Sequence, residues 1–227
     1  MKTSAYTLTA AILVGASLAS AADLPLDKIK LPKGFTISVY ADTVPGARFM
    51  AQGDKGTLFV GTRGQKTVYA LVDSDGDGKA DQTHAITEGL ESPNGVLFRD
   101  GVLYVGEINR ILRYDNIEAN LAAIPAPVVV TDALPAEAAH GSKDLSIGPD
   151  GRMYFGIGAP CDHCDPTVDF NDPRLGTITS MNLDGSDIQP YVMGVRNSVG
   201  LAWHPENGTL YFTDNGRDKL GDDRPDC

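Results

Sequence analysis

The chain has 227 residues, of which 42% are hydrophobic and 22% charged, and its formal net charge is −11. This acidic balance argues against a general nucleic-acid binder, because affinity for phosphates requires clustered Lys and Arg. Glycine is abundant, with 25 residues, and 14 prolines accompany short aromatic and β-branched runs. This composition favours an all-β protein with many turns.

The N-terminus has the pattern of a secretory signal peptide. Lys2 supplies a positive charge, Leu8–Leu18 is apolar, and Ala19-Ser20-Ala21 offers the small side chains of a cleavage site. The apolar segment is too short to span a bilayer. We therefore predict a signal peptide over residues 1–21 and a mature domain over residues 22–227. The protein is expected to be periplasmic or secreted, with no membrane span after cleavage.

A short motif recurs four times, with the pattern Gly-x-apolar-aromatic-apolar-small. Its copies begin at Gly56, Gly101, Gly151 and Gly208. A repeat of roughly 40–60 residues is typical of propeller blades, each of which has four strands. The predicted strands cover residues 49–52, 57–62, 67–72 and 84–87 in the first blade, 96–98, 102–106, 111–114 and 128–131 in the second, 145–147, 153–157, 177–182 and 189–193 in the third, and 201–203 and 209–213 in the fourth.

This count predicts an all-β propeller truncated to about three and a half blades. Residues 35–40 alternate apolar and polar side chains, as a half-buried strand does. We expect them to form the outer strand of a last blade, the usual way in which such a ring is closed. Because the sequence contains no such blade, we expect the chain to be an N-terminal fragment of a longer propeller.

An acidic loop follows the third predicted strand. Asp73, Asp75, Asp77 and Asp81 offer carboxylates at spaced positions around glycines. This is the ligand chemistry of an EF-hand-type calcium loop, although His84 stands where such a loop has its last glutamate. We predict a structural calcium site here, and a solvated acidic turn is the alternative.

Blade geometry divides the loops between two faces, since successive strands are antiparallel. The turns inside the first hairpin of each blade hold generic turn formers, whereas unusual side chains collect on the opposite rim. His140 on that rim suits a general base, with a turn-capping histidine as the alternative. Arg196 suits stabilisation of an oxyanion or a carboxylated cofactor, with a solvated arginine as the alternative. The loop Asp214–Asp223 suits a hard cation, or is simply a polar hairpin end.

Three cysteines are present, Cys161, Cys164 and Cys227. Cys161 and Cys164 are predicted to close a small disulfide loop, which leaves Cys227 unpaired. A single Cys-x-x-Cys is weak evidence for zinc, since no second pair occurs. Asp165 stands where covalent haem attachment would require histidine.

Three ordered motifs resemble the soluble quinoprotein sugar dehydrogenases, and most closely their L-sorbosone dehydrogenase branch. These are His140 with the following Gly148–Gly158, then Gly194–Ala202, and then Asp214–Asp223. The resemblance covers essentially all of the mature chain. It implies a six-bladed propeller that binds pyrroloquinoline quinone (PQQ) and calcium over the mouth of its channel.

The resemblance also implies roles for individual residues. His140 matches the base that removes the sugar hydroxyl proton while hydride passes to the quinone. Arg196 matches the residue beside the reactive quinone carbonyl, and Asn197 its cofactor-binding neighbour. Lys143, a basic residue of the same rim, is added to the cofactor-binding set. Ala139 stands where the better-known glucose enzymes carry an aspartate.

The cofactor calcium is expected in the last motif. Gly216 and Arg217 match the pair whose backbone carbonyls hold this ion, and Asp222 and Asp223 are further candidate ligands. The basic cluster that binds the cofactor carboxylates is expected beyond Cys227. Residues 1–227 by themselves are therefore expected to be inactive.

The function implied is oxidation of an aldose or a sorbosone-like sugar, with an external electron acceptor. Two alternatives come from other classes. The first is a calcium-dependent lactonase-type propeller hydrolase, in which Glu107, Asn94 and Asp214 would hold a channel metal. The second is a non-catalytic propeller that binds glycans or peptides through the same rim.

Overall fold

The computed structural model describes residues 24–223. The predicted signal peptide over residues 1–21 and Cys227 lie outside the described residues. The chain divides into a short unit that ends at Ser38 and a larger unit that begins at Val39. The described part of the short unit contains a 3₁₀ turn, Leu26–Lys28. Within residues 24–223, no helix has the length and apolar character needed to cross a bilayer.

The larger unit is built from antiparallel sheets whose strands neighbour each other in chain order. We number the sheets as blades one to four. Blade one contains β1–β4 (Ala47–Gln52, Leu58–Thr62, Val68–Val72, Gln82–Thr87), blade two β5–β8 (Gly95–Arg99, Val102–Gly106, Ile111–Tyr114, Val128–Thr131), blade three β9–β12 (Ser146–Ile147, Met153–Ile157, Thr177–Met181, Gln189–Met193), and blade four β13–β14 (Gly200–Trp203, Leu210–Thr213). A second 3₁₀ turn spans Ile117–Ala119, and the short helix α1 spans Pro166–Asp169.

These sheets confirm the all-β prediction and the division into blades, with small differences at strand ends. The predicted strand over residues 35–40 is wrong, since this segment is irregular. The side chains of Phe35 and Ile37 are 69% and 43% exposed. An extended segment becomes a strand only when a neighbour pairs its backbone groups, and no described strand does so here.

The aromatic residue of each repeated motif explains how successive blades pack. Phe59 of β2 is fully buried in a cluster with side chains of blade two, and its ring stacks on Phe98 at 5.5 Å. Tyr104 is buried in a cluster with Met153 of blade three. Tyr154 makes an edge contact with Trp203 of blade four at 4.8 Å. The motif therefore supplies the aromatic side chain that fills the interface with the next blade.

The small residue that ends the motif serves the same interface. A Cβ at Gly61 would lie 2.4 Å from the carbonyl oxygen of Asn94, and one at Gly156 would lie 3.1 Å from that of Ser198. A Cβ at Gly106 would lie 3.4 Å from the Cβ of Lys143. Each neighbour belongs to the segment that leads into the following blade. We call these contacts the blade seams.

Replacing the glycine of the first seam is expected to destabilise the protein. Gly61→Ala would force the backbone of Asn94 to move, which we expect to cost about 1–3 kcal/mol of unfolding free energy. Gly64→Ala is the matched control, because a Cβ at Gly64 meets no atom within 4 Å. Urea unfolding of both variants should show a change within about 0.5 kcal/mol for the control. Equal stability of the two variants would contradict this view of the seam.

Candidate active site

His140 lies in the segment that leads into blade three. Its Nδ1 is 2.7 Å from the carbonyl oxygen of Ala159, just beyond β10. Because a carbonyl only accepts, Nδ1 must carry the proton, and the Nε2 of the neutral ring is left as the acceptor. A Cβ at Gly158 would lie 2.4 Å from the Cβ of His140. The glycine therefore makes room for this close approach.

Arg196 lies in the segment that leads into blade four, and the structure brings it to His140. Its Nη2 is 3.5 Å from the Nε2 of His140, although the two residues are 56 positions apart. The guanidinium also donates to the carbonyl oxygens of Asp162 and Asn215, each at 3.0 Å. A further bond of 3.0 Å joins it to the carboxylate of Asp218. Arg196 thus connects three rim segments, with only 13% of its side chain exposed.

Asp162 is a third member of this group that sequence reasoning missed. Its Oδ1 lies 3.6 Å from the Nε2 of His140 and 3.4 Å from the Nη2 of Arg196. The residue lies inside the loop closed by the Cys161–Cys164 disulfide. The disulfide confirms the predicted pairing of these two cysteines. The sequence did contain a signal for Asp162. This carboxylate lies between two cysteines, in the loop that follows the second strand of blade three, to which His140 leads. Its charge balances a protonated imidazole or the guanidinium.

The loop that follows β14 closes the group on the other side. The Asp214 carboxylate accepts from the backbone N–H groups of Asn197 and Arg196, at 2.7 and 3.2 Å. Within residues 24–223 the side-chain amide of Asn197 has no hydrogen-bond partner, and the carbonyls of Gly216 and Arg217 accept no hydrogen bond. These groups are the ones that could contact a cofactor or a cation.

Two further predicted ligands, Asp222 and Asp223, lie in an exposed turn. No hydrogen bond or ion pair in the described chain links them to His140 or Arg196. They do not join a group of three or more converging carboxylate, imidazole or thiol ligands among the described residues. A cation in this loop would therefore depend on the backbone carbonyls.

The placement of Lys143 corrects the prediction that it belongs to the exposed, cofactor-facing rim. The residue is 1% exposed. Its Nζ donates to the carbonyl oxygens of Ile108 and Gly141, at 2.7 and 3.0 Å. Burial in this site lowers the pKa of Lys143 from 10.5 to about 8.

A cleft of about 650 Å³ adjoins the His140–Arg196 pair. Arg196, Ala159, Cys164 and Arg217 form part of its wall, so the cleft is continuous with the group described above. The side chains of Phe170, Leu175 and Met193 contribute apolar surface. Polar and charged residues, among them Asn171 and Asp172, line the rest of the cleft. A space of this size with both apolar and polar walls suits a small organic ligand.

The acidic loop lies between β3 and β4, away from this group. Ligand atoms of Asp73, Asp75 and Asp81 lie within 4.8 Å of one another. Asp77 is outside this cluster, and its Oδ1 accepts from the backbone N–H of Lys79 at 2.8 Å. Hydrogen bonds from Ser74 lower the pKa of Asp81, which keeps that carboxylate charged. Three of the four predicted calcium ligands thus converge, and the fourth does not.

The residues of the lactonase alternative have other partners. Glu107 and Asn94 are both 1% exposed. The Glu107 carboxylate pairs with the Arg110 guanidinium and accepts from the backbone N–H of Glu91. The Asn94 side chain donates to the Lys143 carbonyl oxygen at 3.0 Å. Glu107 and Asp214 do not belong to a group of three or more converging carboxylate, imidazole or thiol ligands in the part of the chain that the structure describes.

Comparison with known sequences identifies relatives without an assigned activity. Residues 22–223 match the family described as "Domain of unknown function (DUF7133)". A protein from Borreliella burgdorferi, described as "Uncharacterized protein", is 24% identical over 97% of this chain. The match covers 58% of that relative, so the chain spans little more than half of its length.

Comparison with solved structures places the chain among the β-propellers. The holo PQQ domain of pyranose dehydrogenase from Coprinopsis cinerea matches 78% of this chain and 45% of its own, with 15% identity and a TM-score of 0.64. The PQQ-bound aldose sugar dehydrogenase from Streptomyces coelicolor matches 77% of this chain and 58% of its own, with 22% identity and a TM-score of 0.58. A candidate gluconolactonase matches 81% of this chain and 60% of its own, with 18% identity and a TM-score of 0.57. At such identities the likeness establishes the fold alone.

The buried ammonium of Lys143 predicts a specific pH dependence of stability. Between pH 8 and pH 10.5 the unfolded chain binds more protons at this group than the folded one, so the unfolding free energy should rise with pH. The rise is on the order of 3 kcal/mol. Urea unfolding at several pH values should show it as a difference between the wild type and Lys143→Met. A difference that stays constant across this pH range would contradict the assignment.

Proposed function

The chain belongs to the family described as Domain of unknown function (DUF7133), and on the geometry of its rim we propose that it is a PQQ- and calcium-dependent sugar dehydrogenase. The observation that carries the proposal is the approach of Arg196 to the unprotonated Nε2 of His140, at 3.5 Å. The fold shared with two PQQ-binding dehydrogenase structures supports it. The substrate would be an aldose or a sorbosone-like sugar, as in the L-sorbosone dehydrogenase branch.

The residues present fit such a cofactor at the rim. Asn197 has an amide without a hydrogen-bond partner among the described residues, next to Arg196. The carbonyls of Gly216 and Arg217 accept no hydrogen bond there and are suitable ligands for calcium. When bound, PQQ with calcium would supply the acceptor of a hydride from the sugar. Lys143 takes no part in this contact, because its ammonium is buried.

His140 would serve as the general base. Its Nε2 can take the proton of the sugar hydroxyl, while the Ala159 carbonyl holds the opposite ring nitrogen in the required tautomer. The imidazolium that forms is stabilised by the Asp162 carboxylate, 3.6 Å from Nε2. Arg196 supplies a fixed positive charge that favours an anionic partner, and its hydrogen bonds to two rim loops, at Asp162 and at Asn215 and Asp218, keep it in place.

The compartment and the partners follow from the same proposal. The pattern of the N-terminal residues favours export, and the Cys161–Cys164 disulfide suits an oxidising compartment. We propose a periplasmic or secreted protein that passes electrons to an external acceptor. A small sugar is the proposed substrate.

A lactonase-type hydrolase remains the second candidate. The likeness to a candidate gluconolactonase favours it at the level of the fold. The engagement of Glu107 with Arg110, and of Asn94 with Lys143, weighs against a channel metal held by these side chains. A glycan-binding propeller without activity is the third outcome that an experiment must separate.

Dye reduction by the full-length protein tests these functions. With PQQ and calcium present, aldoses or sorbosone should reduce the dye, and His140→Asn should lower kcat by about 10²–10⁴ because the base is lost. His204→Asn is the matched control, since among the described residues its ring accepts from the backbone N–H of Glu206 and lies against the ring of Tyr211, and it has no bond to the His140 group. Hydrolysis of lactones with calcium but without the quinone would instead identify a lactonase. Saturable glycan binding without turnover would identify a binding protein.

We further propose that Asp73, Asp75 and Asp81 hold a structural calcium ion, since their ligand atoms lie within 4.8 Å of one another. Calcium that binds only the folded state should raise Tm with concentration. Asp73→Asn should abolish this increase, whereas Asp77→Asn should retain most of it, because Asp77 lies outside the cluster. Differential scanning calorimetry with and without a chelator measures both. A wild-type Tm that does not change with calcium concentration would contradict the proposal of a calcium site.

A further inference from the structure

We infer that Lys143 is a positioning residue, which fixes the turn carrying His140 by binding it to blade two. This role rests on the proposed function of His140 as the base. The starting observation is that a lysine is almost never fully buried unless it is paired, yet Lys143 is 1% exposed. No carboxylate forms an ion pair with it among the described residues. Burying such a charge is costly, so its retention needs a reason.

The protein provides a fitted space for this residue. Gly95 of β5 and Gly106 of β6 are directly paired across the first hairpin of blade two. A Cβ at Gly95 would lie 2.5 Å from the Lys143 carbonyl oxygen, and one at Gly106 would lie 3.4 Å from the Lys143 Cβ. Lys143 therefore packs against a cross-strand pair that lacks side chains. Its stem is part of the second blade seam.

The two bonds of the ammonium connect this seam to His140. One ends at the carbonyl oxygen of Ile108, in the loop after β6, at 2.7 Å. The other ends at the carbonyl oxygen of Gly141, the residue that follows His140, at 3.0 Å. His140 itself has a φ of +52°, a conformation that non-glycine residues rarely adopt. The bond holds the carbonyl of the peptide between Gly141 and Ser142, one peptide beyond His140, and so restrains the turn in which this uncommon backbone occurs.

A positioning role is distinct from a merely stabilising one, and the chain offers a control for the difference. Arg174, on the blade-three side, also sends a cation–carbonyl bond to the segment after blade two, at Ala133. It makes no contact with His140. Arg174→Met should therefore weaken the same pair of blades without moving the imidazole. The charged groups that face His140, Asp162 and Arg196, are unchanged in every variant.

The test compares Lys143→Met with Arg174→Met in the full-length protein, by ¹⁵N NMR of the histidine ring. The wild type and Arg174→Met should show a single tautomer of His140 with the proton on Nδ1. Lys143→Met should show a mixture of tautomers, because the bond to Ala159 loses its fixed geometry. A His140 signal that matches the wild type in a folded Lys143→Met protein would overturn the inference.

A second variant and a kinetic measurement also test the role of Lys143. Lys143→Gln, which keeps a donor but shortens the side chain, replaces the methionine variant if that protein does not fold, and it should give an intermediate ring signal. If the dehydrogenase activity is found, Lys143→Met should lower kcat about 10-fold or more with little change in KM. Because the ring tautomer is read without turnover, failure of the proposed function and failure of this inference can be told apart.

Discussion

The structure depends on one steric constraint, the packing of the segment that leads into a blade against a glycine at or next to the end of the second strand of the blade before it. At Gly61 a single added carbon would lie 2.4 Å from a backbone oxygen of the next blade. The aromatic side chain two positions earlier fills the apolar part of the same interface, as Phe59 does with Phe98. Each repeated motif is therefore a joint between blades as well as a strand. This explains why the pattern couples an aromatic residue to a small one.

The candidate active site is a direct consequence of these seams. His140 and Arg196 occupy the segments that lead into blades three and four, and close packing of the blades brings their side chains to 3.5 Å. The Cys161–Cys164 loop then places Asp162 against both. Two basic groups in contact would repel when the imidazole is protonated, and the carboxylates of Asp162 and Asp218 offset that repulsion. The group can therefore accept a proton without expelling the arginine.

Lys143 belongs to the second seam, where its buried side chain connects blade two to the turn that carries His140. A hydrophobic side chain of similar volume would avoid the desolvation of an ammonium group, which depresses the pKa of Lys143 to about 8. What such a side chain could not do is bind two carbonyls, one from each blade. The cost of the buried charge is thus linked to the position of His140. Lys143 therefore affects both the stability of the protein and the geometry of the site.

The sequence by itself determined the blades, because alternation, turn residues and a repeated motif act over a few residues and suffice to predict strands such as Met153–Ile157. It also indicated His140 and Arg196 as residues of one rim. Only the tertiary structure decided that they approach each other, that Asp162 joins them, and that Lys143 points inward, since these contacts join residues up to 56 positions apart. It likewise decided that residues 35–40 form no strand, because a strand requires a hydrogen-bonding neighbour that its own pattern cannot supply.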